Sequence, residues 1–308
     1  MNLLERLLTI SLLVLLFANF SYGQGCSDAG VCTAGIMTEQ GDGSESNTKF
    51  NVNPGYHLAK GDDGTKVNML MLEAAYLFSA NAYLQIKLPY VMTDGNLAKT
   101  NGLGDITISF NGLIKEINGH RFDAFLGSRI GMGKADLSEN GLPLPMVYQT
   151  NLGTTDLLLG AKWSYKGWAG SLAYQQPLVQ SNENGFLQIL WEGNEAATKY
   201  SDSRKIERKG DISARIEKTI TPGDFAITAG LVPIYHLGED TFVDENGERL
   251  DIKGSDGLTL NIAISARYKL GESIFLNVFY GSPLITRDVQ PAGLGRSYAG
   301  GLSVGYRF

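Results

Sequence analysis

Few side chains in this sequence are able to carry covalent chemistry, and they do not cluster. The histidines are His57, His120 and His236, read as His57-Leu58-Ala59, His120-Arg121-Phe122 and His236-Leu237-Gly238. None has a serine two places on, so no His-x-Ser pair of base and nucleophile exists. His236 has the best company, because Glu239 or Asp240 could orient its ring. No ligand spacing for a metal accompanies any of the three. Cys26 and Cys32, in GCSDAGVCTAG, are the only thiols and are too far apart for a Cys-x-x-Cys motif. In an exported chain they most simply close a disulfide, a redox or metal role being the other reading. Neither catalysis nor a cofactor is expected.

The charged residues offer a different chemistry. Glu73, Lys87, Asp105, Lys115, Arg121, Asp123, Arg129, Lys162, Arg215, Glu217, Arg267, Lys269 and Arg307 all fall on the polar phase of alternating segments. Facing a water-filled passage, such a set selects ions by the sign of its field, and its excess of bases favours anions. Paired with one another, the same charges fill a packed interior. Both readings stay open at this level.

The elements that position these charges have a period of two. In GLGDITISFNGLIKEINGHRFDAFLGSRIGMG (102–133), Ile106, Ile108, Phe110, Gly112 and Ile114 alternate with Asp105, Thr107, Ser109, Asn111, Leu113 and Lys115. The next run sets Phe122, Ala124, Leu126, Ser128 and Ile130 against Arg121, Asp123, Phe125, Gly127 and Arg129. This alternation specifies β-strands. Twelve such runs are legible, at 48–59, 66–78, 82–92, 103–116, 120–133, 153–165, 168–179, 210–220, 224–237, 256–270, 273–285 and 297–308.

The connections decide which face meets what. They are short at FSANA, EINGH, YKGW, TPGD and LGES and long at 134–152, 180–209, 238–255 and 286–296. Tight turns at one end and long loops at the other mark a transmembrane barrel, with apolar side chains out to lipid and polar ones in to the lumen. Aromatics at run ends, among them Tyr76, Phe78, Trp163, Trp168 and Tyr306, suit the headgroup girdles. Charged residues make up 19% of the chain, below the roughly 25% of soluble domains, and its 38 glycines suit crowded strands. The net charge of −6 gives nucleic acid no basic patch to bind. The apolar run Leu7–Phe20 is too short to span a bilayer and fits a secretory leader. The expected organisation is a cleaved signal peptide (1–23), a periplasmic segment with the cysteine pair (24–47) and an all-β, single transmembrane antiparallel barrel of about 12 strands (48–308).

The stretch IKLPYVMTDGNLAKTNGLGDITIS (86–109) places Leu88-Pro89-Tyr90 at a strand end, then a polar loop, then Gly102-Leu103-Gly104-Asp105. In this it resembles the outer-membrane barrels associated with phenol meta-cleavage pathways. That resemblance implies passage of small compounds across the outer membrane. The final strand closes on Phe308, similar to the terminal aromatic by which the barrel-assembly machinery recognises its clients. The expected partners are therefore outer-membrane lipid, that machinery through Phe308, and a small-molecule solute. In the long loop SNENGFLQILWEGNEAATKYSDSRKIERKG, the apolar Phe186, Leu187, Ile189, Leu190 and Trp191 must leave water, either as a constriction in the mouth or against a neighbouring loop. The favoured function is a channel for small hydrophobic or anionic solutes by passive or facilitated diffusion. A docking barrel with a plugged lumen is the alternative, and a barrel hydrolase a weaker one.

Overall fold

The computed structural model describes residues 49–291 and 296–308, so the expected leader, the 24–47 segment, Cys26 and Cys32 lie outside the described residues. Twelve strands form one closed antiparallel barrel. They are β1 (Phe50–Gly61), β2 (Lys66–Ser79), β3 (Ala82–Asp94), β4 (Ile106–Ile117), β5 (His120–Ile130), β6 (Thr154–Tyr165), β7 (Trp168–Gln180), β8 (Asp211–Ile220), β9 (Phe225–His236), β10 (Gly257–Lys269), β11 (Ile274–Ile285) and β12 (Arg296–Arg307). Each pairs with the next, and β12 returns to β1 with Val52 opposite Tyr306 and Tyr56 opposite Leu302. Closure leaves the main sheet without an edge. A short strand, Lys99–Leu103, extends β4 along the upper part of β3.

Turn chemistry sets the tight end. Asn118 and Gly119 take φ of 51° and 76°, and Lys166 and Gly167 take 46° and 76°. Two consecutive positive φ values make the hairpin turn whose twist matches that of the strands, and Gly accepts them without strain.

The two faces differ as the alternation requires. Outward, Leu70, Phe110, Leu172, Ile216 and Leu302 are exposed, while inward Asp156, Gln175 and Asn261 are fully buried. A Leu or Ile side chain left in water forfeits about 1.5–3 kcal/mol, so an apolar outer wall of this extent belongs in lipid. Phe50, Tyr76, Phe78 and Phe110 form a chain of ring contacts at the short-turn rim, and Phe308 stacks on Phe50 at 5.7 Å. These rings make the lower headgroup girdle. The fold is that of an outer-membrane barrel, and with every backbone group of the wall paired, unfolding needs heat even in detergent. The expected observation is a shift in gel mobility on boiling; a protein that stays dispersed without detergent would contradict the lipid-facing wall.

The lumen is narrowed by its own aromatics, each lying over a glycine of a neighbouring strand. A Cβ on Gly160 would overlap the Phe125 ring, one on Gly305 the Phe275 ring, and one on Gly301 the Phe279 ring. Part of the glycine excess thus serves close ring-to-backbone packing inside the wall.

One expected lumen residue moves to the other face. A bulge between Leu113 and Lys115 puts Lys115 opposite the outward Phe122, and Lys115 is exposed. An inserted residue reverses the side-chain phase beyond it, which strict alternation from Ile106 could not register.

At the opposite end, long loops fold over the barrel mouth. Ala59 and Val67 of the wall pack with Leu97, Leu144, Val147, Tyr148, Phe186, Trp191, Ala197 and Tyr200. A second cluster joins Met146, Leu152, Ile206 and Ile252. Two small hairpins, Ser138–Glu139 with Leu142–Pro143 and Thr241–Val243 with Arg249–Asp251, stiffen the loops.

Candidate functional site in the barrel lumen

The register builds the polar lining from the wall upward. Glu73 of β2 faces Lys87 of β3 across the sheet, and Lys87 Nζ donates to Glu73 Oε1 at 3.0 Å. Arg121 and Asp123 sit two apart on β5, on one face, with Nε donating to both carboxylate oxygens at 3.0 Å. Lys162 of β6 is directly opposite Asp123. On β8, Arg215 and Glu217 pair in the same two-apart manner at 2.5 Å.

Toward the loop end the pairing thickens. Arg129 lies opposite Asp156 and donates from Nη2 to its Oδ2 at 2.5 Å, while its Nε stands 3.7 Å from Asp105 Oδ2. Gln175 donates to the same oxygen of Asp156. Asp105 closes the Gly-Leu-Gly-Asp motif: Gly104 N–H donates to Pro89 O at 2.9 Å where the chain bends from Lys99–Leu103 into β4, aiming Asp105 inward. Next to this group, Arg208 Nη2 lies 3.7 Å from Asp211, and His236 sits between two carboxylates. Its Nδ1 meets Asp211 Oδ1 at 2.7 Å and its Nε2 meets Asp240 Oδ1 at 2.8 Å. With an acceptor at each nitrogen, the arrangement suits the imidazolium, which donates from both. Burial pushes the Asp240 carboxyl up, but the hydrogen bond and charge of His236, with Arg208 nearby, hold it below the usual carboxylate range. Asp240 also accepts from Lys209 N–H at 2.9 Å, which ties the loop above β9 to the segment leading into β8.

The short-turn end is basic and aromatic. Arg267 and Arg307 lie over the Phe275 ring at 5.0 and 5.1 Å, within cation–π range. Arg267 Nε donates to Asn277 at 2.9 Å, and Lys269, on the same face, reaches the rim. His57 points inward and meets the Phe279 ring edge-on at 4.8 Å. His120 stays at its turn, stacked on Tyr165 at 3.9 Å and accepting from Trp163 Nε1 at 3.0 Å. Among the described residues, no group of three or more His, Cys, Asp or Glu is placed to hold a metal.

The apolar loop segment divides. Phe186, Leu187 and Trp191 are buried in the cap, Trp191 Nε1 donating to Pro143 O at 2.8 Å, whereas Ile189 and Leu190 are exposed. A polar seam runs beneath: Tyr148 and Tyr200 hydroxyls meet at 3.3 Å, Tyr200 reaches Thr65 at 3.0 Å, and Leu97 N–H donates to Tyr148 at 3.1 Å. At the surface Lys199 bonds Asp63 at 2.6 Å, which holds the Asp63 carboxyl below its ordinary range.

The sequence reading did not include Asp156, Gln175, Arg208 and Asp211. Asp156 shares its phase with Lys162, and Asp211 with Arg215, so the alternation contained both. Arg208 lies in a loop, where no periodicity could mark it.

No family model matches the sequence, and no curated protein matches it either. Solved structures do. An outer-membrane channel from Pseudomonas putida F1 superposes with a TM-score of 0.61 at 15% identity, covering 88% of this chain and 100% of that one. The NanC porin gives 0.48 at 10% identity, covering 84% and 100%, and the KdgM porin 0.43 at 8%, covering 84% and 99%. The first of these likenesses bears on the fold.

Proposed function

We propose that this barrel is a channel that passes small solutes by diffusion and whose outer mouth is gated by its own long loops. The observation that carries the reading is the inward face. Polar and charged side chains line the wall from the Arg267 and Arg307 rim to the Arg129–Asp156 group, and the loop cap packs over the opposite end. A lined passage needs binding weak enough for release and no catalytic group. The Pseudomonas putida F1 barrel of the same fold is an outer-membrane channel, which supports this use of it.

The class of solute follows from how charge is distributed along the barrel. The acids Asp105, Asp156, Asp211 and Asp240 gather near the cap, whereas toward the short-turn end the inward bases Arg121, Lys162, Arg215, Arg267, Lys269 and Arg307 outnumber the acids Asp123 and Glu217. That end attracts anions, and Phe125, Phe275 and Phe279 offer ring surface to the apolar part of a solute. The likeness of residues 86–109 to barrels of phenol meta-cleavage pathways supports aromatic compounds among them. In planar bilayers, a barrel freed of residues 183–196 is expected to show an anion-favouring reversal potential, weakened in Arg267→Gln/Arg307→Gln. An unchanged potential in that double variant would contradict the basic end as the selecting element.

One observation favours a plugged docking barrel instead: the inward wall residues Asp156, Gln175 and Asn261 have no exposure. Conductance separates the two, because a plugged barrel stays silent after the cap is shortened.

A further inference from the structure

We infer that the outer wall carries a binding site for a phosphorylated headgroup of an outer-leaflet lipid, at the upper ends of β12, β1, β2 and β3. The register lays out three tiers on the lipid-facing side. The top tier runs Tyr298, Lys60, Lys66, Asp94, Lys99, each directly opposite the next. The second runs Gly300, Leu58, Asn68, Met92, Asn101, and the third Leu302, Tyr56, Leu70, Tyr90, Leu103. Lys60, Lys66, Asp94 and Lys99 are exposed, as are the large side chains of the third tier.

The tiers grade from charge to hydrocarbon over a few residues. Tyr56 and Tyr90 rise from the apolar tier to donate to Asn68 and Asn101 at 2.9 and 2.7 Å, as interfacial tyrosines do. The height agrees. Lys60 is ten residues above Phe50 of the lower girdle; at about 3.4 Å per residue and a tilt near 40°, this is roughly 26 Å, about the height of the apolar band.

The top tier is unbalanced. Asp94 is engaged by Lys99 at 2.8 Å, yet Lys60 and Lys66 are direct cross-strand neighbours of like charge. Such pairs oppose sheet formation unless an anion sits between them. Among the described strand residues, no other pair of lysines faces across the upper wall in this way. Elsewhere the upper wall ends in exposed Leu178, Val179, Tyr235, Leu258 and Leu284. A phosphate at the headgroup level, with acyl chains running down over Leu58, Leu70 and Leu302, satisfies both the charge and the apolar tier.

The test uses the refolded barrel in detergent with diphosphoryl lipid A, read as retained lipid by native mass spectrometry. One retained lipid is expected, with roughly thirtyfold weaker retention in Lys60→Gln/Lys66→Gln, at about fivefold per lysine near a lipid surface. Lys60→Arg/Lys66→Arg keeps the charge and should retain the lipid, and unchanged heat-modifiability of both variants shows that they fold. Equal retention of dephosphorylated lipid A, full retention by the Gln variant, or displacement by inorganic phosphate at the same concentration as the lipid would each overturn the site.

Discussion

Removing residues 183–196 is expected to raise conductance in planar bilayers by an order of magnitude or more, without preventing assembly. Phe186 and Trp191, which pack with Leu144, Val147 and Tyr148, leave with this segment, as does the buried Leu187. Without them the remaining loop loses the apolar burial that keeps it across the mouth, at about 1.5–3 kcal/mol for each large side chain. Assembly survives because the segment contributes no strand: β7 ends at Gln180 and β8 begins at Asp211. Trp191→Ala alone should give a smaller change of the same sign. A shortened barrel that folds and conducts no better than the parent would place the barrier among Phe125, Phe275 and Phe279 in the wall.

Asp156→Ala is expected to destabilise the folded barrel by about 3–5 kcal/mol, the usual cost of orphaning a buried charge. Arg129 is buried, and its closest acid is Asp156 at 2.5 Å, with Asp105 farther off at 3.7 Å. Gln175 loses the same acceptor. Asp156→Asn keeps the shape and one acceptor and should cost less. The double variant Asp156→Ala/Arg129→Met should recover part of the loss, because the orphaned Arg129 charge is gone while Asp105 loses its ion pair. Urea unfolding in lipid vesicles measures all three. Equal stability of the Ala variant and the parent would mean that water, not Asp156, compensates Arg129.

How far the sequence alone could reach depends on what each feature rests on. Alternation and turn residues are local, and they specify the strands, the two faces and the asymmetry of the connections: Leu258 to Leu270 and Tyr298 to Phe308 face outward as their period requires. A bulge is a two-strand event, so Lys115 could be placed only against Phe122. The cap depends on contacts between distant loops, such as Trp191 with Pro143 and Tyr200 with Thr65, which no period encodes. The same holds for His236: Asp240 is visible four residues along, but Asp211 reaches it only across the sheet. The three-tier outer edge was in principle legible, since it is pure register, but it needed the pairing offsets before Lys60 and Lys66 became neighbours.

A channel of this kind needs an outer face in lipid and an inner face in water. Single cysteines placed in a Cys26→Ser/Cys32→Ser background and exposed to a membrane-impermeant thiol reagent in vesicles test this directly. Ser265 and Ser303 point inward between the short-turn rim and mid-height, while their neighbours Ala266 and Leu302 point out. Rapid labelling of Ser265→Cys and Ser303→Cys from the short-turn end is expected, with Ala266→Cys and Leu302→Cys shielded by lipid. Labelling of the outward pair, or of neither pair in a folded barrel, would contradict it.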